Sequence, residues 1–303
     1  MVMRKFLAAF VVMVLCGSAC AEDVVRLGLL GYMGTSEESF QKGFDGFRDN
    51  ISLEKLPEDT HSYPFIRQLV QKRREVHFYS SLMTMLMGLR SGKVDEVILP
   101  ESTGRYVMNM NSNYQGESYT SMFTLRLSFG FLEGNGKLRD EFSAAILAMK
   151  EDGTLQALEN EYVHNPEHKI RSLKPEHFPG AETVTVAVTG DMPPLDMFAG
   201  DGKPAGYSTA ILTEIGRRVR KNMRFMNTDA GGRSNALTSG RADVLFWCKT
   251  TDNTVINHDI PEDVHALFSE NPAGIILSEP YYTWNREMIL KVRTSGGFLG
   301  IFK

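Results

Sequence analysis

Three places in the chain put reactive residue types where binding chemistry needs them. Thr35 and Ser36 follow the turn Gly31 to Gly34 and precede the helix-like EESFQKGF. A helix start offers free backbone N–H groups and a positive end, which suits a carboxylate. The alternative is that both residues only cap the helix, with Glu38 closing a capping box from Thr35. Glu101 follows the apolar run Val94 to Leu99, and Arg105 stands four residues on, within pairing reach. Glu101 is otherwise a lone surface carboxylate. Asp191 follows the run Val184 to Val188, and Trp247 closes the run Ala242 to Trp247. Trp247 serves either as an apolar wall or as core. Glu279 is a third carboxylate in a comparable place. No general acid and base can be paired from these positions alone. The chain has no nucleophile elbow, HExxH or CxxC spacing, so no metal or other cofactor is expected. His164 and His168 are four apart, but Pro166 breaks any helix between them. Cys248 ends an apolar run and reads as a buried structural thiol.

The first residues address the compartment. Arg4 and Lys5 precede an unbroken apolar run, Phe6 to Leu15, and Ala19-Cys20-Ala21 follows. That is the layout of a secretory signal over residues 1–21, and it predicts a periplasmic or extracellular protein. An uncleaved anchor and a lipid anchor on Cys20 are the alternatives. The rest, about 280 residues, holds one large or two medium domains. Cys248 is the sole cysteine beyond the leader, so no internal disulfide is expected. The net charge is −4 and the longest basic run, Lys72-Arg73-Arg74, meets Glu75 at once. Nucleic acid is therefore not an expected partner, since phosphate neutralisation needs clustered cations.

Strand-like and helix-like runs alternate along the chain, which argues for parallel sheets with crossover helices. Strands are expected at 24–30, 76–79, 94–99, 125–132, 184–188, 225–226, 242–247 and 274–277. Helices are expected after Thr35 and at 64–72, 82–90, 138–149, 155–163, 210–219 and up to 239. Leu89-Arg90-Ser91-Gly92-Lys93-Val94-Asp95 matches Leu237-Thr238-Ser239-Gly240-Arg241-Ala242-Asp243. Each copy is a helix end, a glycine cap, a cation and an acid that opens an apolar strand. One copy lies on each side of the proline-bearing stretch 166–181. The division is therefore a lobe at 22–165, a linker at 166–181 and a second lobe at 182–303.

Several of these pieces together resemble the bacterial extracellular solute-binding proteins of family 3. LRDEFSAAILAMKEDGTLQALENEYV, Leu138 to Val163, resembles the family's C-terminal helices around an Asp-Gly-Thr-Leu turn. Val184 to Ile215, with Pro193-Pro194 and Asp201-Gly202-Lys203-Pro204-Ala205-Gly206-Tyr207, resembles its first lobe. Ser278-Glu279-Pro280-Tyr281-Tyr282 resembles the segment that closes that lobe. Gly34-Thr35-Ser36-Glu37 resembles the turn that opens the second lobe. The lobes thus stand in reversed order, as in a circular permutant or in a piece of a tandem array.

The resemblance implies an α/β fold of two Rossmann-like lobes with mainly parallel sheets, like a periplasmic binding protein. It places the ligand between the lobes, outside the carboxyl ends of the strands. It gives Glu101 the part of an acid that meets a ligand amine and makes Thr251 the first residue of a Thr-x-x-Arg carboxylate clamp. The clamp Arg is replaced by Thr254, the aromatic after the prolines by Leu195, and the acid of the following helix by Ala210. Without the Arg fork, bidentate recognition of an α-carboxylate is lost. The expected function is capture of a small polar solute, an amino acid or similar, for an ABC permease in the membrane. A degenerate or sensory module of the same fold is the second reading, and a lyase-type enzyme on that fold the third.

Overall fold

The computed structural model describes residues 24–55, 62–165, 170–252, 266–270 and 272–293. The leader and Thr254 lie outside the described residues.

Each half of the chain opens with a strand that becomes the centre of a parallel triplet. In the first half β1 (Val25–Leu30) runs between β2 (Arg74–Tyr79) and β3 (Glu96–Pro100). In the second half β5 (Thr183–Val188) runs between β8 (Asn222–Asn227) and β9 (Val244–Asp252). The repeated heptapeptides do the same work in both. Gly92 and Gly240 take positive φ, 71° and 70°, to end the preceding helix. Asp95 N–H then donates to Arg26 O while the Asp95 carboxylate accepts from Arg26 N, both at 2.8 Å. Asp243 repeats this on Thr185, again with both bonds at 2.8 Å. The acid is therefore a register clamp that ties each third strand to the opening strand.

Two long strands join the triplets. β4 (Tyr114–Leu132) and β11 (Tyr282–Val292) pair with each other antiparallel, with an irregularity between Trp284 and Arg286. β11 also pairs with β3, and the far end of β4 pairs with β9 and with β10 (Ile275–Leu277). The strand order is β2-β1-β3-β11-β4-β9-β5-β8. The chain is thus α/β, parallel in its outer triplets and antiparallel at the junction. β4 starts earlier than the run expected from sequence, and β11 was not expected. Residues 114–120 and 283–287 are largely polar, so these parts do not read as buried runs.

Helices cover both faces. The first half carries α1 (Glu37–Asn50), α2 (Tyr63–Val70), α3 (Leu82–Arg90) and α4 (Glu101–Met110). α4 was not foreseen, because its ESTGRYVMNM buries only Thr103, Gly104 and Val107. α5 (Gly136–Glu151) and α6 (Thr154–Glu159) turn about Gly153 at φ 78° and pack on α7 (Tyr207–Val219) of the second half. One core therefore joins Phe129, Phe131, Phe142 and Ile146 to Val186, Ile211 and Trp247. The packing boundary and the linear boundary at residue 165 differ, since residues 125–163 bury their apolar faces against residues 184–215. α8 (Arg233–Thr238) completes the second half.

The Pro193–Pro194 turn leads into a two-stranded hairpin, β6 (Met197–Phe198) and β7 (Pro204–Ala205), and then into α7. Gly206 at φ 92° lets Tyr207 N and Ser208 N reach the carbonyls of Pro194 and Leu195, both at 3.0 Å. A Cβ on Gly206 would lie 2.5 Å from Pro194 O and 2.8 Å from Leu195 O. Gly206→Ala is expected to cost more than about 1 kcal/mol, because both backbone angle and space oppose the methyl group. A urea titration should show a lower midpoint with an unchanged slope.

Candidate functional site

Loops that follow the parallel strands of the two halves meet. Ala230 N donates to Ser80 O across the junction at 2.9 Å. Met33, from the loop after β1, is buried in a small cluster with Ala187, Leu237, Leu245 and Cys248 of the second half. Between the halves lies a cavity of about 70 Å³. Leu30, Tyr32, Phe123 and Ser121 line it from one side and Met192, Trp247, Lys249 and Glu270 from the other. Trp284 and Glu287 of β11 and Phe268 complete the wall. The lining is an aromatic and aliphatic shell with a few polar groups, which is the usual make-up of a small-molecule site.

The polar groups of this shell are tied to one another. The Lys249 ammonium donates to Tyr32 Oη and lies 3.9 Å from the Tyr32 ring centroid. Burial raises the Tyr32 hydroxyl pKa even with that cation beside it. Glu287 is buried, and Trp284 Nε1 donates to its Oε1 at 3.3 Å. Burial pushes the Glu287 carboxyl up to about 7, which Lys249 and the indole only partly offset.

Glu270 of the cavity wall forms a fully buried ion pair. Arg233 and Glu270 are 0% and 1% exposed. Arg233 Nη2 donates to Glu270 Oε1 at 2.5 Å and Nη1 to Oε2 at 3.1 Å. The guanidinium stacks on Trp247, with Cζ 3.5 Å from the ring centroid. Two backbone groups also donate to this carboxylate, Met33 N at 2.9 Å and Lys249 N at 2.8 Å.

Of the residues singled out in the sequence, Trp247 lines the cavity. Its indole N–H also faces Thr189 Oγ1 and Asp196 Oδ2, both at 3.2 Å, so it is wall and core at once. Ser36 caps α1 by accepting from Ser39 N at 3.1 Å. The capping partner is thus Ser39 rather than Glu38, because the cap sits one residue later than Thr35. Glu37 instead accepts from Phe78 N at 2.5 Å and ties α1 to β2. Thr35 is half-buried beside that cap. Glu101 accepts from Arg105 at 2.6 Å and from Arg286 at 2.6 Å. Burial opposes its charge, but hydrogen bonds from Arg105, Arg286 and Ser118 outweigh this and hold its pKa below the usual value. Thr251 lies on β9, where Thr251 N donates to Ser269 Oγ at 2.9 Å. Burial pushes the Cys248 thiol far up, which makes it a structural thiol.

Asp191 spans the junction. Its Oδ1 accepts from Leu82 N, the first residue of α3 in the other half, at 2.9 Å. Its Oδ2 is buried and has no partner among the described residues. Burial raises the Asp191 carboxyl to about 7, Leu82 N–H offsets part of this, and the neighbouring Asp196 charge adds to it. Asp196 is itself raised by burial.

Tyr32, Lys249, Glu270, Glu287 and Arg233 were not picked from the sequence. Tyr32 sits inside the turn that led to Thr35, and Lys249 is two residues from Trp247, hence on the same strand face. Those two carried a usable signal. Glu270 and Glu287 carried none, since one follows a stretch without period and the other lies in an unforeseen strand. Among the described residues, no group of three or more His, Cys, Asp or Glu could hold a metal ion. Nor is any described helix long and apolar enough to cross a membrane.

Asp191 and Glu287 bind their protons more tightly folded than unfolded. Their stabilising contribution is complete below the ordinary carboxyl range and is lost as pH rises through about 7. The thermal midpoint is therefore expected to fall between pH 5 and pH 8, within about that window. Asp191→Asn, which cannot ionise there, should flatten the fall; an unchanged slope in calorimetry would show that Asp191 does not titrate in this window.

No curated protein matches the chain. Among solved structures it resembles the ligand-binding component of an ABC-type import system from Staphylococcus aureus, solved with zinc bound. That likeness has 9% identity and a TM-score of 0.40, over 89% of this chain and 66% of the other. NikZ from Campylobacter jejuni, solved with Ni(L-His), is 10% identical at a TM-score of 0.41, over 73% of this chain and 57% of its own. HinK, a LysR family transcriptional regulator from Pseudomonas aeruginosa, is 9% identical at 0.36, over 95% of this chain and 69% of its own. Residues 184–253, from β5 to the end of β9, match the family model of the bacterial extracellular solute-binding proteins, family 3, and in that segment the chain is similar to them.

Proposed function

We propose that this protein binds a small solute in the cavity between its two sheet halves, outside the cytoplasmic membrane, and presents it to an ABC-type permease. The observation that carries the reading is that a single cavity wall draws residues from both halves, near the carboxyl ends of β1, β3 and β9. That is where a two-part α/β sheet places its ligands. The family match over residues 184–253 supports the same reading. We take residues 24–122 and 125–252 as the two binding lobes, with β4 and β11 as the connection about which they close.

In this reading Trp247, Trp284 and Phe123 supply the apolar walls. Lys249, Tyr32 and Glu287 supply the polar contacts that orient the solute. Lys249 brings a cation and Glu287 a carboxyl that burial raises to about 7 to one small space, which favours a solute that is neutral or carries both signs. Amino acids and their uncharged analogues are the first candidates. Asp191, Glu101, Arg105, Thr35, Ser36 and Thr251 serve the frame around the site rather than its lining.

The test is thermal unfolding of the purified protein against a panel of amino acids, amines, small carboxylates and neutral amides. A solute that binds only the folded state raises the midpoint in a dose-dependent way. At least one member should do so, and Lys249→Met should weaken that response about tenfold or more in apparent affinity. A panel in which no member moves the midpoint of the folded protein refutes the reading.

A further inference from the structure

The Glu270 carboxylate is held as a cleft holds a bound carboxylate. Its four donors are the two arms of the Arg233 guanidinium and the backbone N–H groups of Met33 and Lys249, at 2.5 to 3.1 Å. They come from α8, from the loop after β1 and from β9, so both halves contribute. Trp247 floors the guanidinium. A bidentate fork with two further donors satisfies a carboxylate and compensates its removal from water.

The carboxylate belongs to neither sheet half. Glu270 sits at the end of the short segment 266–270, which lies outside the sheet and straps the two halves together. Glu270 N donates to Lys249 O at 2.7 Å, and Ser269 pairs with Thr251, so the strap follows β9 of the second half. Its apolar side chains go the other way. Phe268 packs edge-on against Phe40 at 5.5 Å and at a 42° tilt against Phe123 at 5.4 Å, in the core of the first half. Leu267 lies over Gly43 of α1, so closely that a Cβ there would come within 2.9 Å. The donors are therefore part of the frame, while the acceptor is brought in from outside it.

We propose that this is a carboxylate-binding site which the chain fills with its own side chain, so that Glu270 acts as a built-in ligand that closes the two halves on each other without any solute. Removing the Glu270 side chain leaves Arg233 Nη2, Met33 N and Lys249 N aimed at one point, while Arg233 Nε and Nη1 keep the carbonyls of Ala230 and Trp247. A free small carboxylate is the chemistry that fits that gap. The corollary rests on the function proposed above: the solute of the neighbouring cavity is not recognised through this seat, and a carboxylate it carries must find other donors.

The experiment is chemical rescue. Glu270→Ala should lower the thermal midpoint, and acetate or formate at about ten times its dissociation constant should restore about 3 °C or more. Acetate should leave wild type and the double variant Arg233→Met, Glu270→Ala unmoved. No rescue in folded Glu270→Ala, or an equal response in all three proteins, overturns the proposal. If Glu270→Ala does not fold, small-angle scattering of the wild-type protein without solute decides. A profile of the closed arrangement sustains the proposal, and an open one overturns it. None of these outcomes depends on the solute panel, so the seat and the solute cavity stand or fall separately.

Discussion

The antiparallel pairing of β4 with β11 is the constraint from which the site follows. β4 runs 19 residues, long enough to serve both sheet halves, and β11 lies beside it for most of that length. Each is hydrogen-bonded along its backbone, so the halves cannot separate without bending strands whose register is set on both sides. Because both parallel triplets attach to this junction, loops that follow their strands meet. Tyr32 and Met192 then line one cavity though they are far apart in sequence.

Buried carboxylates also tie the halves across the junction. Met33–Glu270 and Asp191–Leu82 both reach the first half, and each places a carboxylate on a backbone donor there. Their circumstances differ. Glu270 has a full set of donors, two from the Arg233 guanidinium and two from backbone N–H groups. Asp191 has one backbone donor and an unpaired oxygen, so it holds its proton to about pH 7. The first contact is a fully partnered lock, and the strength of the second depends on pH. Arg74–Glu96, equally buried at 1% and 2% exposure, plays the same locking part within the first half, with Arg74 Nε 2.8 Å from Glu96 Oε1.

The family comparison and the physical reading of the site meet in the second half. Residues 184–253 contain β5, α7, β8, α8 and β9, and hence Asp191, Arg233, Trp247 and Lys249. Within this segment Arg233 is the guanidinium that the chain places at the junction. Arg233 comes from a helix rather than from the end of a strand, and its partner is supplied by the chain.

Much was legible in the sequence because it is local. The alternation of runs specified which segments become outer strands and helices, since period and capping act within a few residues. The repeated heptapeptide announced two similar halves, because a glycine cap and an acid at fixed spacing recur whenever a third strand must register on an opening strand. The rule that binding residues follow parallel strands led to Trp247, which lines the cavity, and to Asp191, which spans the junction. What tertiary structure alone decided is everything that joins distant segments. That Ser36 rather than Thr35 caps α1 depends on where β2 holds Glu37. That Glu101 faces Arg286, that Glu270 enters the grip of Arg233, and that Tyr32 meets Lys249 each depends on β4 and β11 bridging the halves. These contacts leave no period in the sequence: a carboxylate's partner across 37 residues, from Arg233 to Glu270, is chosen by backbone geometry and desolvation, not by neighbours along the chain.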